Sequence, residues 1–133
     1  MTRIWTLCAA LLATPVSVQD FTTQAEVQPI LTLTRANWVG IGTATGNDLL
    51  YFTQILAWRC GITGIRYGLN GAEPVTDYTM EPCHSDLNPP NQIRDLPCLV
   101  FPLNSIEQVT VEITYPDGQV DRESYQRSAI RLD

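Results

Sequence analysis

The stretch IEQVTVEITYPDGQVDRESY, residues 106–125, constrains the fold more than any other part of the chain. Val109, Val111, Ile113 and Tyr115 alternate with Gln108, Thr110, Glu112 and Thr114. In an extended backbone a period of two puts all four apolar side chains on one face, whereas a helix would scatter them around its circumference. The segment therefore reads as a half-buried antiparallel strand. PDG at 116–118 supplies a turn, and the polar run after it reads as an edge strand. A sheet with one apolar face needs a second layer to cover it.

Further strands follow from the same reasoning. CLVFPL (98–103) is a short apolar strand bounded by Pro97 and Pro102. ITGIRYGLNGAEPVTDYTM carries an Asn70–Gly71 turn signal between two strand-like runs. WVGIGTATGNDLLYFTQILAW offers two apolar runs around the TATGND turn. Its second run, 49–58, satisfies both helical and buried-strand spacing. Tyr51, Phe52, Thr53 and Ile55, with Gly61 to end the run, favour a strand. Residues 20–28 are polar and read as a mobile lead-in. QPILTLTRANW (28–38) has Pro29 at a first helical position and reads as the opening of a short helix, which Thr32 and Thr34 weaken. The expectation is an all-β, mainly antiparallel sandwich or barrel of six or seven strands, with residues 38–133 as one domain and 19–37 as its N-terminal lead-in.

The order of these segments resembles that of bacterial immunoglobulin-like modules. GITGIRYGLNG is similar to their third strand and its turn, and VTVEITYPDGQV to their last hairpin. That resemblance implies an immunoglobulin-like β-sandwich over residues 38–128. YFTQILAWRCGITGIRYGLNG followed by MEPCH is also similar to small exported proteins of alphaproteobacteria. This second resemblance implies export and attaches no activity, substrate or site.

Charge narrows the partners. The 133 residues carry a formal net charge of −6 and no lysine, and the arginines are scattered. Nucleic acid requires clustered cations, and so does a polybasic membrane-surface patch, so neither is expected as a partner. The N-terminus reads as a signal peptide over residues 1–18. Arg3 precedes the apolar core IWTLCAALLA (4–13), which is too short to span a bilayer of about 30 Å. The mature chain is expected to begin between Thr14 and Asp20, to have no membrane span, and to be periplasmic or secreted.

Three cysteines then remain: Cys60, Cys83 and Cys98. In an oxidising compartment two should pair. If the hairpin loop runs from Asn70 to Glu73, opposed residue numbers sum to 143, and so do those of Cys60 and Cys83. A bridge there would close a loop of about 24 residues, for which loop-closure entropy suggests roughly 3 kcal/mol. Pairing of Cys83 with Cys98 is the alternative, and would staple the loop HSDLNPPNQIRDLP.

His84 is the only histidine. Zinc generally requires three or four ligands at characteristic spacings, and no CxxC or HxxxH is present, so no metal or cofactor is expected. No serine lies in a G-x-S-x-G elbow. Arg59 and Arg66 read as braces for surface acids or covers for apolar surface. The long loop SDLNPPNQIRD (85–95) is the expected binding surface, through Asp86, Asn88, Asn91 and Arg94, together with the hairpin tip at Asn70–Glu73. The functional expectation is an exported, non-catalytic β-rich module that binds or supports another envelope component. The alternative is a small periplasmic hydrolase or metal-dependent enzyme using His84 and nearby acids.

Overall fold

Two antiparallel sheets share one apolar core in the computed structural model, which describes residues 19–133. The expected signal peptide, residues 1–18, lies outside the described residues. Helix α1 (Gln24–Leu33) precedes strands β1 (Gly40–Gly42) and β2 (Asp48–Tyr51). A helical turn α2 (Thr53–Leu56) and a 3₁₀ turn (Arg59–Gly61) then lead into β3 (Gly64–Leu69) and β4 (Thr76–Tyr78). Strands β5 (Cys98–Phe101), β6 (Gln108–Thr114) and β7 (Val120–Gln126) follow, and the short helix α3 (Arg127–Ile130) closes the series. One sheet runs β1-β2-β5 and the other β4-β3-β6-β7. The β-rich, two-sheet expectation is met.

Strand β6 sits at the centre of the larger sheet. Its Val109, Val111 and Ile113 are fully buried, as their alternation requires. Opposite them on β7 lie Tyr125, Glu123 and Asp121. The two acids are held by Arg35, at 3.5 Å and 3.0 Å, and the Arg35 guanidinium lies 4.8 Å from the centroid of the Trp38 ring. Charged side chains on this face of an edge strand discourage pairing with another chain. Burial raises the Tyr115 phenol to about 12, and the nearby Asp121 carboxylate adds to the effect.

The β3–β4 hairpin has the expected register. Ile65 faces Tyr78, Arg66 faces Asp77 and Tyr67 faces Thr76, each pair summing to 143. Asn70 and Gly71 both adopt positive φ, 55° and 85°, which is where an Asn-Gly pair is tolerated best.

Two expectations are corrected. Residues 49–58 are not one strand: β2 ends at Tyr51 and the chain turns helical at Thr53. Both periodicities in the run are real, one after the other. Leu50 and Phe52 are buried at a spacing of two, then Phe52, Ile55 and Leu56 at helical spacing. Residues 20–28 are not a mobile lead-in either, because α1 begins at Gln24. Thr23 caps it by accepting from the Glu26 N–H at 3.3 Å, while Glu26 accepts from Thr23 Oγ1 at 2.7 Å and from Phe21 N–H at 3.2 Å. This is a capping box, and it places Pro29 inside the helix instead of at its start. The helix buries Val27 and Leu31. Gly61 lets the 3₁₀ turn approach it: a Cβ there would lie 2.5 Å from Val27 Cγ2 and 2.8 Å from the Thr23 carbonyl.

Candidate functional site

Residues 79–97 contain no helix or strand, yet the segment is firmly held. Its centre is Arg59, only 2% exposed at the start of the 3₁₀ turn. Nε donates to the Glu81 carbonyl at 2.9 Å. Nη1 donates to the carbonyls of Leu56 and Asn91 at 3.1 and 2.8 Å. Nη2 donates to those of Pro82 and Gln92 at 2.9 and 2.7 Å. One planar donor fork thus satisfies carbonyls from both ends of the loop.

Glu81 is the anionic half of this knot, with its side chain 6% exposed and 3.4 Å from Arg59 Nη2. Its carboxylate accepts from the backbone N–H groups of Arg94, at 2.9 and 3.0 Å, and Asp95, at 2.8 Å, and pairs with His84 Nε2. Burial alone would push the Glu81 carboxyl up. The Asp95 N–H, His84, the Arg94 N–H and the Arg59 charge outweigh it and hold the group at about 2.

A third fastening is covalent. Cys60 and Cys83 form a disulfide with Cα atoms 5.1 Å apart. Neither cysteine is in a strand: Cys60 lies in the 3₁₀ turn and Cys83 in the chain beyond β4. The bridge therefore continues the hairpin register past the end of its ladder. Cys98, the competing partner, is a free thiol at the start of β5. Replacing both bridged cysteines by serine is expected to lower stability by roughly 3 kcal/mol, read by urea denaturation. A loss below about 1 kcal/mol would show that Arg59 alone suffices to hold the loop.

The expected binding residues divide by role. The Asn91 carboxamide is engaged internally: Oδ1 accepts from the Cys60 N–H and Nδ2 donates to the Phe21 carbonyl, both at 2.9 Å. Asp86, Asn88 and Arg94 are exposed, and their side chains make no hydrogen bond among the described residues. The hairpin tip is likewise engaged. Asn70 Oδ1 accepts from the N–H groups of Glu107 and Gln108, and Glu73 pairs with Arg122 at 2.9 Å. Arg66 braces Asp77 at 2.9 Å, as a surface arginine was expected to do. Arg59 is buried and serves a different purpose from the one read in the sequence.

His84 is half-buried and bonded to Glu81, which gives it an orienting carboxylate. The clefts beside the loop are lined by other residues. Among the described residues no group of three or more His, Cys, Asp or Glu side chains is placed to hold a metal ion. No described helix is long and apolar enough to cross a membrane. Compared with protein-family models, with curated proteins and with solved structures, the chain matches none.

Proposed function

We propose that this protein is an exported, non-catalytic β-rich module that binds another envelope component through the loop at residues 85–95. The observation that carries this reading is the fastening of an irregular loop by a buried guanidinium, a buried carboxylate and a disulfide. Such fastening removes the ordering cost that a flexible loop would meet on binding. It leaves Asp86, Asn88 and Arg94 projecting without internal partners among the described residues. The disulfide also fits an oxidising compartment. The enzymatic alternative has His84 oriented by Glu81 but a bridged Cys83 beside it, and no nucleophile bonded to the imidazole among the described residues.

A second reading, an accessory subunit docked through a sheet edge, has one observation in its favour. Strand β5 pairs only with β2, and exposed Leu96, Val100 and Leu103 lie within it or two residues from its ends. The two readings part in a single experiment. Tagged protein is used to capture partners from envelope extracts, quantified by mass spectrometry. The triple change Asp86→Ala, Asn88→Ala, Arg94→Ala should reduce specific capture at least fivefold with the melting curve unchanged, while Val100→Lys has little effect. Undiminished capture by the triple variant overturns the loop reading, and loss with Val100→Lys alone favours the edge.

A further inference from the structure

Next to the fastened loop lies a cleft of about 490 Å³, between the approach to α1 and residues 88–93. Phe21 and Trp58 form one wall, with ring centroids 5.0 Å apart and planes at 71°. Pro89 and Ile93 complete an apolar lining, and Asn88 and Gln92 contribute carboxamides. The walls are held in place by neighbouring bonds. Arg59 follows Trp58 in sequence and donates to the Gln92 carbonyl, and Asn91 donates to the Phe21 carbonyl.

The one charged side chain among the residues lining the cleft is an aspartate. Asp20 lines it and also lines the adjoining cleft with Ser85, Leu87, Asn88 and Pro90. Asp86 lies in the chain between two of those residues. Neither aspartate has a cationic partner among the described residues, and no arginine lines either cleft.

We propose that this cleft takes an extended segment of another protein that carries a proline or aliphatic anchor flanked by arginine or lysine. The proposal rests on the loop reading above and names the chemistry of its partner. An aromatic-walled, mainly apolar cleft rewards burial of a proline or aliphatic side chain. A neutral sugar would require a more polar lining, and a phosphate backbone would be repelled by the aspartates. The Asp20 carboxylate in the lining, with Asp86 near Asn88 in the chain and neither paired with a cation among the described residues, favours cations and accelerates their approach.

The test is titration of the disulfide-intact protein, followed by NMR at the Trp58 indole N–H and the Asn88 and Gln92 carboxamides. The probes are a ten-residue peptide with a Leu-Pro core and arginine flanks, the same core with glutamate flanks, and maltotriose. The arginine-flanked peptide should shift these signals saturably and bind at least tenfold more tightly than its glutamate counterpart. The double change Asp20→Asn, Asp86→Asn, at two exposed residues whose side chains make no hydrogen bond among the described residues, should weaken it threefold to tenfold and flatten its salt dependence. No saturable shift, equal binding of the two peptides, or shifts with maltotriose alone would each overturn the proposal. Loss of capture by the loop variant together with failure of the arginine peptide leaves the loop reading standing and rejects only the partner chemistry. Undiminished capture by that variant rejects the loop reading itself.

Discussion

Replacing Arg59 with methionine is expected to destabilise the protein by about 3–5 kcal/mol, the range for removing one partner of a buried ion pair. The side chain donates to four loop carbonyls and to that of Leu56 at the end of α2, and its charge faces the buried Glu81 carboxylate. Methionine matches the stem and removes every donor, so the carbonyls and the carboxylate lose their partner together. For a domain of this size the melting temperature should fall by roughly 10–20 °C. Arg59→Lys should recover only part of this loss, because an ammonium cannot span acceptors on both ends of the loop. Hydrogen exchange should locate the damage, with protection lost first at the Arg94 and Asp95 amides that bond to Glu81. Acid provides an independent check. The Glu81 carboxyl is depressed in the folded protein, so its contribution is present above its ordinary value of 4.5 and is lost as pH falls towards about 2. Glu81→Gln should flatten the stability profile across that window. A cost for Arg59→Met below about 1 kcal/mol, with the two amides still protected, would mean that the disulfide holds the loop unaided.

The importance of Arg59 was hidden in the sequence for a physical reason. A single Trp-Arg-Cys triplet carries no periodic signal, and an arginine usually lies at the surface. A signal was nevertheless present in the loop it serves. EPCHSDLNPPNQ contains Pro82, Pro89 and Pro90, so it has more carbonyls than N–H groups to satisfy them. A donor-only side chain with five N–H groups, fixed next to the disulfide that anchors the loop, answers that deficit. The disulfide itself was legible because register is arithmetic. Once the Asn70–Gly71 turn is placed, the numbers of Cys60 and Cys83 give their opposition.

Local chemistry accounts for the two elements that differ from expectation. Thr23-x-x-Glu26 is a helix-start signature, and it outweighed the breaking tendency of Pro29 and of the β-branched threonines. Thr32 in the helix and Thr34 at its C-cap bond their hydroxyls back to the Gln28 and Ile30 carbonyls, so neither hydroxyl is left without a partner. The run at 49–58 was ambiguous because it contains two elements, and the change of period falls at Phe52. For the candidate site, the loop was visible as an interval without apolar pattern. The Trp58–Phe21 wall was not, because it joins residues from two distant segments.

Asp48 carries the second large expected effect, and nothing about its place in DLLY indicated it. The residue is 0% exposed at the first position of β2. Its carboxylate takes both terminal nitrogens of Arg127, at 2.7 and 3.0 Å, and accepts from the N–H groups of Asn104 and Ile106, at 2.9 and 3.0 Å. Arg127 in turn donates to the Ile106 carbonyl at 2.7 Å. One carboxylate thus joins the smaller sheet, the turn before β6 and the start of α3 just after β7. The Arg127 hydrogen bonds hold it well below the usual carboxylate range against the opposing effect of burial, and the two backbone N–H groups assist. Its contribution is therefore present above the ordinary aspartate value of 3.8 and is lost as pH falls further. Asp48→Ala is expected to cost about 3–5 kcal/mol, since it leaves a largely buried guanidinium and two backbone donors unanswered. Asp48→Leu combined with Arg127→Met should cost less than the two single changes added together, because the second substitution removes the charge that the first left unpaired. Denaturation of the four proteins at neutral pH and near pH 3 measures both the coupling and its loss in acid. Strict additivity at neutral pH would show that the pair contributes nothing beyond its backbone bonds. Strong coupling that fades on acidification would establish the ion pair itself as the fastening between the smaller sheet and the start of α3.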